Sequence, residues 1–170
     1  MAYSGPAYSM GKISNEKALQ KLKQYCGYQE RSHKEVKQKL YALGLFKKDV
    51  EELITRLIEE GYLNEERFSI QFASGKLKIK GWGRQKIKYA LQQKGISAFC
   101  IIKALNALDH SEYQKIFETL ALKKWKALSA EKNNFVKKSK WQQYLLQRGF
   151  EYALFKSFFL DINENHTPED

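Results

Sequence analysis

Residues 87–105, IKYALQQKGISAFCIIKAL, carry an apolar pattern that predicts two consecutive helices separated by a glycine. Two pattern residues precede Gly95 by eight and four positions, a spacing that places them on one face of a helix. Three more follow the glycine by one, six and ten positions, so a second helix begins soon after it. Glycine is typical of this position, because a helix often ends in a left-handed residue. The pattern positions are Ile87, Leu91, Ile96, Ile101 and Leu105.

The same pattern occurs twice more, around Gly44 and Gly149. The three glycines lie 51 residues apart (95 minus 44) and then 54 residues apart (149 minus 95). A repeat of this length is longer than the roughly 34 to 47 residues of the common helical repeats, and each copy has room for three helices. The matching positions are Val36, Leu40, Leu45, Val50 and Ile54 in the first copy, and Trp141, Leu145, Phe150, Phe155 and Phe159 in the third.

The repeat predicts an all-α fold with nine helices in a tandem array of three three-helix units. One such unit is too small to bury a good core alone, so the units are expected to stack into an elongated or curved array. Proline, the strongest helix breaker, occurs only at Pro6 and Pro168. The expected organisation is a disordered segment 1–13, units at 14–62, 63–108 and 109–162, and an acidic C-terminal tail 163–170.

Helix ends are also legible in the sequence. Ser32 and Glu35 have the spacing of a capping box, and Asp109 and Glu112 repeat it. Asn64 precedes two glutamates, which suit a helix N-terminus. Five glycines are each expected to close a helix in the left-handed conformation: Gly27, Gly44, Gly61, Gly95 and Gly149.

The net charge of the 170-residue chain is +11, from 30 Lys and Arg against 19 Asp and Glu. Such an excess favours an anionic partner such as nucleic acid. No run approaches the eighteen or so apolar residues of a membrane span, and the opening MAYSGPAYSMGK lacks the features of a secretion signal. We therefore expect a cytoplasmic protein with no membrane partner.

No pattern in the sequence indicates catalysis, a metal or a cofactor. Cys26 and Cys100 lie in apolar helical patterns far apart in the chain, which is typical of buried free thiols. His33, His110 and His166 share no ligand spacing with each other or with a cysteine. HExxH, CxxC, GxSxG and phosphate-loop motifs do not occur. The prediction is a protein that is not an enzyme and binds no metal or cofactor.

Charge is distributed unevenly along the chain. Residues 47–66 hold seven acids and three cations, residues 74–94 hold seven cations and no acid, and residues 115–148 hold nine cations and two acids. These cations could simply form solvated helix faces. Unpaired cations so close together repel one another, however, and an anionic partner would offset that repulsion. The first basic face consists of Lys76, Lys78, Lys80, Arg84, Lys86, Lys88 and Lys94, and the second of Lys123, Lys124, Lys137, Lys138 and Lys140.

Two residues near the first basic face have both a functional and a structural interpretation. Trp82, between two glycines, could stack on a base or a partner, or it could pack on Ile87 with Gly83 capping the next helix. Arg67 could reach a carboxylate of a partner or pair with acids of the first unit. We favour the structural role for both. Tyr25, Tyr28, Tyr62, Phe68 and Phe72 fall on apolar stripes and are expected in the core.

Residues 61–96, GYLNEERFSIQFASGKLKIKGWGRQKIKYALQQKGI, resemble the signature of the RecX family, bacterial regulatory proteins of the RecA recombinase. Residues 30–45, ERSHKEVKQKLYALGL, are similar to the family's pattern for its first unit. Unit three keeps the glycine in LLQRGF, residues 145–150, and little else. The positions that match the family pattern are Gly61, Tyr62, Leu63, Asn64, Arg67, Phe68, Gly81, Gly83, Arg84, Ile87, Leu91, Gly95 and Ile96.

The resemblance implies a curved tandem of helix-turn-helix-like units that regulates RecA. Such a protein binds RecA and its filament on single-stranded DNA, lies along the filament groove, and suppresses ATP hydrolysis, strand exchange and co-protease activity. The two basic faces would then meet acidic RecA surfaces, DNA phosphates or both. The chain is expected to be a monomer.

A plain DNA-binding protein is the alternative. Helix-turn-helix-like units with a charge of +11 suit non-specific contacts to the phosphates of single-stranded or duplex DNA. No recognition helix is evident, because residues 84–94 offer Gln85, Gln92 and Gln93 as their only amides for reading bases.

Overall fold

The computed structural model describes residues 13–164, and in that range the chain forms nine helices and no strand. Apart from residues 13, 163 and 164, the expected disordered segment 1–13 and acidic tail 163–170 lie outside the described residues. The helices are α1 (Asn15–Tyr28), α2 (His33–Ala42), α3 (Lys47–Glu59), α4 (Glu65–Lys80), α5 (Arg84–Gln93), α6 (Ala98–Asn106), α7 (His110–Ala127), α8 (Asn134–Gln147) and α9 (Ala153–Glu164).

These helices form three consecutive triplets, α1–α3, α4–α6 and α7–α9, which confirms the predicted all-α fold of tandem three-helix units. The chain divides after Glu65 into two compact bodies. The first body holds α1–α3 around its own apolar core, and the second holds α4–α9 around one shared core. The boundaries that the sequence gives to its three units stay a prediction.

Burial follows the sequence repeat closely. Leu40, Leu91 and Leu145, four residues before their glycines, are fully buried, as the shared register predicts. The residues eight before each glycine and one and six after it are buried in every copy. The residue ten after the glycine is half-buried in all three copies. The repeat therefore describes equivalent positions in three dimensions as well as in sequence.

Helix ends agree with the glycine signals at four of five predicted positions. Gly44, Gly61, Gly95 and Gly149 have positive φ, between +75° and +87°. The expectation for Gly27 is wrong, because α1 continues through it to Tyr28 and ends without a left-handed residue. A fifth left-handed glycine, at the end of α4, is Gly81.

The predicted capping box forms at the start of α2, and at the start of α7 the Asp109 half of the predicted box forms. The Ser32 hydroxyl accepts a hydrogen bond from the backbone N–H of Glu35, and the Glu35 carboxylate accepts one from the N–H of Ser32, which confirms that capping box. At α7 the Asp109 carboxylate accepts from the N–H of Glu112 at 2.7 Å. Hydrogen bonds from Ser111 and from that N–H lower the pKa of Asp109.

The third triplet has an aromatic core. Trp141 stands where the other copies have Val36 and Ile87, and its indole N–H donates to the carbonyl of Ala121 at 2.8 Å. Its ring lies 4.8 Å from that of Phe158 and 5.3 Å from that of Phe155. The buried indole is thus packed on rings and has its one donor satisfied, as a buried tryptophan requires.

Not every apolar position is in the core. Tyr28 is 84% exposed, because α1 runs past Gly27 and carries its last residue away from the packed face, so its expected burial is wrong. Tyr62 is also exposed, with the Lys23 ammonium 5.3 Å from its ring, whereas Phe68 is buried and Tyr25 and Phe72 are half-buried.

Cys26 and Cys100 are both buried and are not joined in a disulfide, as predicted. Among the helices of residues 13–164, none has the length and apolar character that crossing a membrane requires.

The shared core makes a prediction for stability. Leu91→Ala removes a fully buried side chain from the second body and should lower the free energy of unfolding by about 2–5 kcal/mol. Gln92→Ala, at the exposed neighbouring position, is the matched control and should change it by less than about 0.5 kcal/mol. Urea unfolding followed by circular dichroism measures both, and similar midpoints would contradict the assigned core.

Candidate interaction site

The start of α5 is joined to the turn between α8 and α9 by backbone contacts. The N–H of Gly83 donates to the carbonyl of Arg148 at 2.8 Å, and the N–H of Gln85 donates to that of Gly149 at 3.0 Å. A Cβ on Gly83 would lie 2.3 Å from the Gly149 oxygen, and one on Gly149 would lie 2.4 Å from the Lys86 nitrogen. No side chain fits at either glycine, so these residues must lack a Cβ for the two segments to meet.

Gly81 lies in the same loop, where both the backbone conformation and the close neighbouring side chains require glycine. Its φ is +61°, and a Cβ there would lie 2.8 Å from Leu120 Cδ1 and 3.2 Å from Arg148 Nη1. The Arg148 guanidinium in turn donates to the carbonyl of Lys80 at 2.9 Å. The GWG sequence is thus a packing element of the second body.

Arg84 is held inside the second body by three contacts. Its backbone N–H donates to the Tyr113 hydroxyl at 2.9 Å, and its guanidinium lies 3.8 Å from the centre of the Tyr113 ring. Arg84 Nη1 also lies 3.5 Å from a carboxylate oxygen of Glu151, whose other oxygen accepts from the Tyr113 hydroxyl at 2.6 Å. Burial, followed by the Glu151 hydrogen bond, raises the pKa of Tyr113 well above its usual value. The premise that Arg84 is an unpaired cation is therefore wrong.

Other members of the first basic face also have partners. Lys78 Nζ lies 3.3 Å from the Glu112 carboxylate, so the premise of an unpaired cation is wrong for Lys78 as well. Lys86 Nζ lies 3.4 Å from the carbonyl of Gln147, and the Lys94 ammonium lies 5.6 Å from the Phe72 ring.

Trp82 is half-buried and packs against the core of the second body. Ammonium groups of Lys76 and Lys86 lie 5.0 and 4.8 Å from its ring centre. Gly83 caps α5, as the structural interpretation of Trp82 predicts. The ring is thus in contact with the protein's own core and with two of its cations.

The second basic face is likewise interleaved with aromatic rings. The ammonium groups of three lysines lie over rings of the third triplet, at distances of 4.2–5.0 Å: Lys124 over Tyr144, Lys137 over Trp125 and Lys138 over Phe159. Lys140 pairs with Glu131 at 2.8 Å, which lowers the pKa of that carboxyl. Within residues 13–164, Lys80, Lys88 and Lys123 are exposed and make no ion pair or ring contact with their side chains.

A groove of about 640 Å³ lies between the end of α4 and α7. We call it the α4–α7 groove. Sequence reasoning did not single it out, because α7 begins thirty residues after the end of α4 (110 minus 80) and no local pattern joins the two. Its lining includes Lys78, Ile79, Lys80 and Gly81 of α4 and its turn, Glu112, Lys115, Ile116, Thr119 and Leu120 of α7, and Arg148.

Comparison with known proteins gives the chain a family. Residues 64–105 match the family model for the second three-helix domain of RecX, and residues 111–159 match the model for its third. The chain belongs to the RecX family. The first match runs from Asn64 to Leu105 and includes Arg67, Phe68, Gly81, Gly83 and Gly95. The second covers α7 and α8 almost entirely and the first part of α9, where the sequence resemblance was weak.

Individual RecX proteins are similar along most of this chain. "Regulatory protein RecX" of Clostridium perfringens strain 13 is 29% identical over 140 residues, which are 82% of this chain and 65% of that protein. The RecX of Prosthecochloris aestuarii is 28% identical and is covered over 91% of its length. The chain spans 58–65% of the length of its clostridial relatives.

A solved RecX structure has the same fold. The crystal structure of RecX from Lactobacillus salivarius superposes with a TM-score of 0.78 at 26% identity, over 88% of this chain and 96% of that one. The arrangement of helices described above is therefore the RecX arrangement.

The glycine contact generates a testable prediction. Gly83→Ala and Gly149→Ala should each lower the free energy of unfolding by about 1–3 kcal/mol, because an added methyl group overlaps backbone atoms of the other segment. Gly75→Ala is the control: Gly75 lies inside α4 with nothing within 4 Å of an added Cβ, and alanine there should stabilise by about 0.5–1 kcal/mol. Thermal unfolding distinguishes these signs, and a stable Gly83→Ala variant would contradict the contact.

Removing either of two cations of α5 should have different effects on the free energy of unfolding. Arg84→Ala loses the ion pair and the ring contact and should lower the free energy of unfolding by about 1–2 kcal/mol. Lys88→Ala, on the exposed side of the same helix, should change it by less than about 0.5 kcal/mol. Equal unfolding midpoints would show that Arg84 has no structural role.

Proposed function

We propose that this chain regulates RecA by binding the recombinase and its filament on single-stranded DNA, lowering ATP hydrolysis, strand exchange and co-protease activity in recombination and DNA repair. The observation that carries the proposal is the match of two consecutive triplets to the second and third domains of RecX. Such a role is regulatory and needs no catalytic site in the chain itself.

The charges of the second body support an anionic partner. Exposed lysines on α4, α5 and α7, such as Lys80, Lys88 and Lys123, carry charge that no acid in the described part of the chain neutralises. Long lysine side chains around a packed body are suited to screened contacts with carboxylates or phosphates, which steer association more than they fix its final strength. A binder of this kind shifts a filament between its states by the difference between its affinities for them.

The alternative of a plain DNA-binding protein has weak support from the last helix of the middle triplet. Its third helix, α6, exposes Phe99 and Ile102. Its one cation, Lys103, is paired with Glu66 at 3.0 Å. Apolar groups and a neutralised lysine are a poor set for reading bases or holding phosphates.

The proposal is tested by adding the purified protein, at less than one copy per RecA, to RecA with single-stranded DNA and ATP. The rates of ATP hydrolysis and strand exchange should fall, because one binder can affect neighbouring subunits of a filament. Raised salt should relieve part of the inhibition, since exposed charge contacts are screened. Phosphate release and joint-molecule formation measure the two rates.

A competition with duplex DNA separates the two candidate functions. Direct capture of RecA without DNA, together with inhibition that persists in excess duplex, supports the regulator. Inhibition that disappears in excess duplex, with no capture of DNA-free RecA, would establish the DNA-binding alternative instead.

A further inference from the structure

The α4–α7 groove combines an apolar lining with an excess of positive charge. Ile79 is 79% exposed, whereas Ile116 and Leu120 on the opposite helix are half-buried and pack against the core. An isoleucine so exposed beside two half-buried aliphatic residues leaves apolar surface on both sides of the groove in contact with water. Covering that surface would be favourable, because it removes apolar groups from water.

Four cations and one acid line the same groove. Glu112 lies 3.3 Å from Lys78 and neutralises it, so Lys80, Lys115 and Arg148 provide the excess charge. Lys80 and Lys115 are exposed and have no ion pair within residues 13–164. Arg148 is anchored, because its Nη1 donates to the carbonyls of Lys80 at 2.9 Å and Gly81 at 3.5 Å. A cation held by the backbone loses little side-chain entropy when an anion approaches it.

The apolar lining of the α4–α7 groove, together with its excess of cations, favours a protein ligand over a nucleic acid. Single-stranded nucleic acids bind to tracks of cations with aromatic rings on which the bases stack. The lining residues of this groove include no aromatic side chain on which a base could stack. Aliphatic side chains flanked by cations instead match a peptide that carries carboxylates around an apolar residue.

We propose that the α4–α7 groove binds an acidic peptide segment of a partner protein, with one aliphatic or aromatic side chain of that segment on Ile79, Ile116 and Leu120. Carboxylates on either side of it lie against Lys80, Lys115 and Arg148. With RecA as the partner, this inference rests on the proposed function. RecA would then present an acidic segment with one apolar residue to the groove. The groove itself requires only an acidic segment with an apolar residue.

The test uses the full chain, two groove variants and one matched control. Ile79→Ser removes apolar surface without changing charge, and because Ile79 is largely exposed the fold should tolerate it. Lys80→Glu with Lys115→Glu reverses two groove cations. Lys37→Glu with Lys48→Glu makes the same change in net charge at exposed positions of the first body. Circular dichroism first verifies that the variants are folded.

The probes are two fluorescein-labelled peptides, one of glutamate and leucine and one with serine in place of leucine, measured by fluorescence anisotropy. The leucine peptide should bind the unaltered chain, and the serine peptide should bind about fivefold more weakly. Ile79→Ser should weaken the leucine peptide about fivefold, and the groove double variant at least about tenfold more than the control double variant. Capture of RecA by the same variants should follow the same order.

The outcomes separate the groove from the proposed function. No binding of the leucine peptide, equal binding of the two peptides, or equal behaviour of the two double variants overturns the groove proposal even if RecA is captured. If the peptides behave as expected and RecA is not captured, the groove proposal stands, and the regulation of RecA fails.

Discussion

The second body depends on a direct backbone contact between the start of α5 and the turn between α8 and α9. Gly83 and Gly149 leave no side chain between these two segments. The first N–H groups of a helix have no partner within the helix and need an acceptor from elsewhere. At α5 two of those groups, on Gly83 and Gln85, donate to carbonyls of Arg148 and Gly149 in another triplet. The capping of one helix is thereby the same interaction that joins the second and third triplets. The six helices of these two triplets also bury their apolar faces in one shared core.

Much of the fold could be predicted from sequence because it rests on local periodicity. The positions around Gly44, Gly95 and Gly149 are buried as the repeat predicts, since helical spacing fixes which face is apolar. That reasoning fails at two glycines. It predicted a helix end at Gly27, where α1 continues, and it missed Gly81, which ends α4. Whether a glycine ends a helix depends on the residues that pack around it, and Gly81 is enclosed by Leu120 and Arg148 from distant parts of the chain.

The candidate site was harder to predict, because the pairing of charges is a property of the tertiary structure. Arg84 meets Glu151 across 67 positions of sequence (151 minus 84), and Lys78 meets Glu112 across 34 (112 minus 78). A segment with no acid in its own sequence can therefore be partly neutralised by acids from another triplet. The excess of lysine was visible in the composition, but the α4–α7 groove exists only where α4 and α7 pack together. Composition predicts an anionic partner, whereas tertiary structure was needed to locate the apolar surface of the groove next to its cations.

The distribution of tryptophan gives the protein a built-in optical reporter. All three tryptophans, Trp82, Trp125 and Trp141, belong to the second body, and the first body has tyrosine and phenylalanine as its only aromatic residues. Indole absorbs at longer wavelengths than phenol, so fluorescence excited at the red edge of absorption comes from the second body alone, whereas helical circular dichroism sums both bodies. Comparison of the two signals during denaturation tells whether the bodies melt as one cooperative system, because coincident curves are the signature of a single transition.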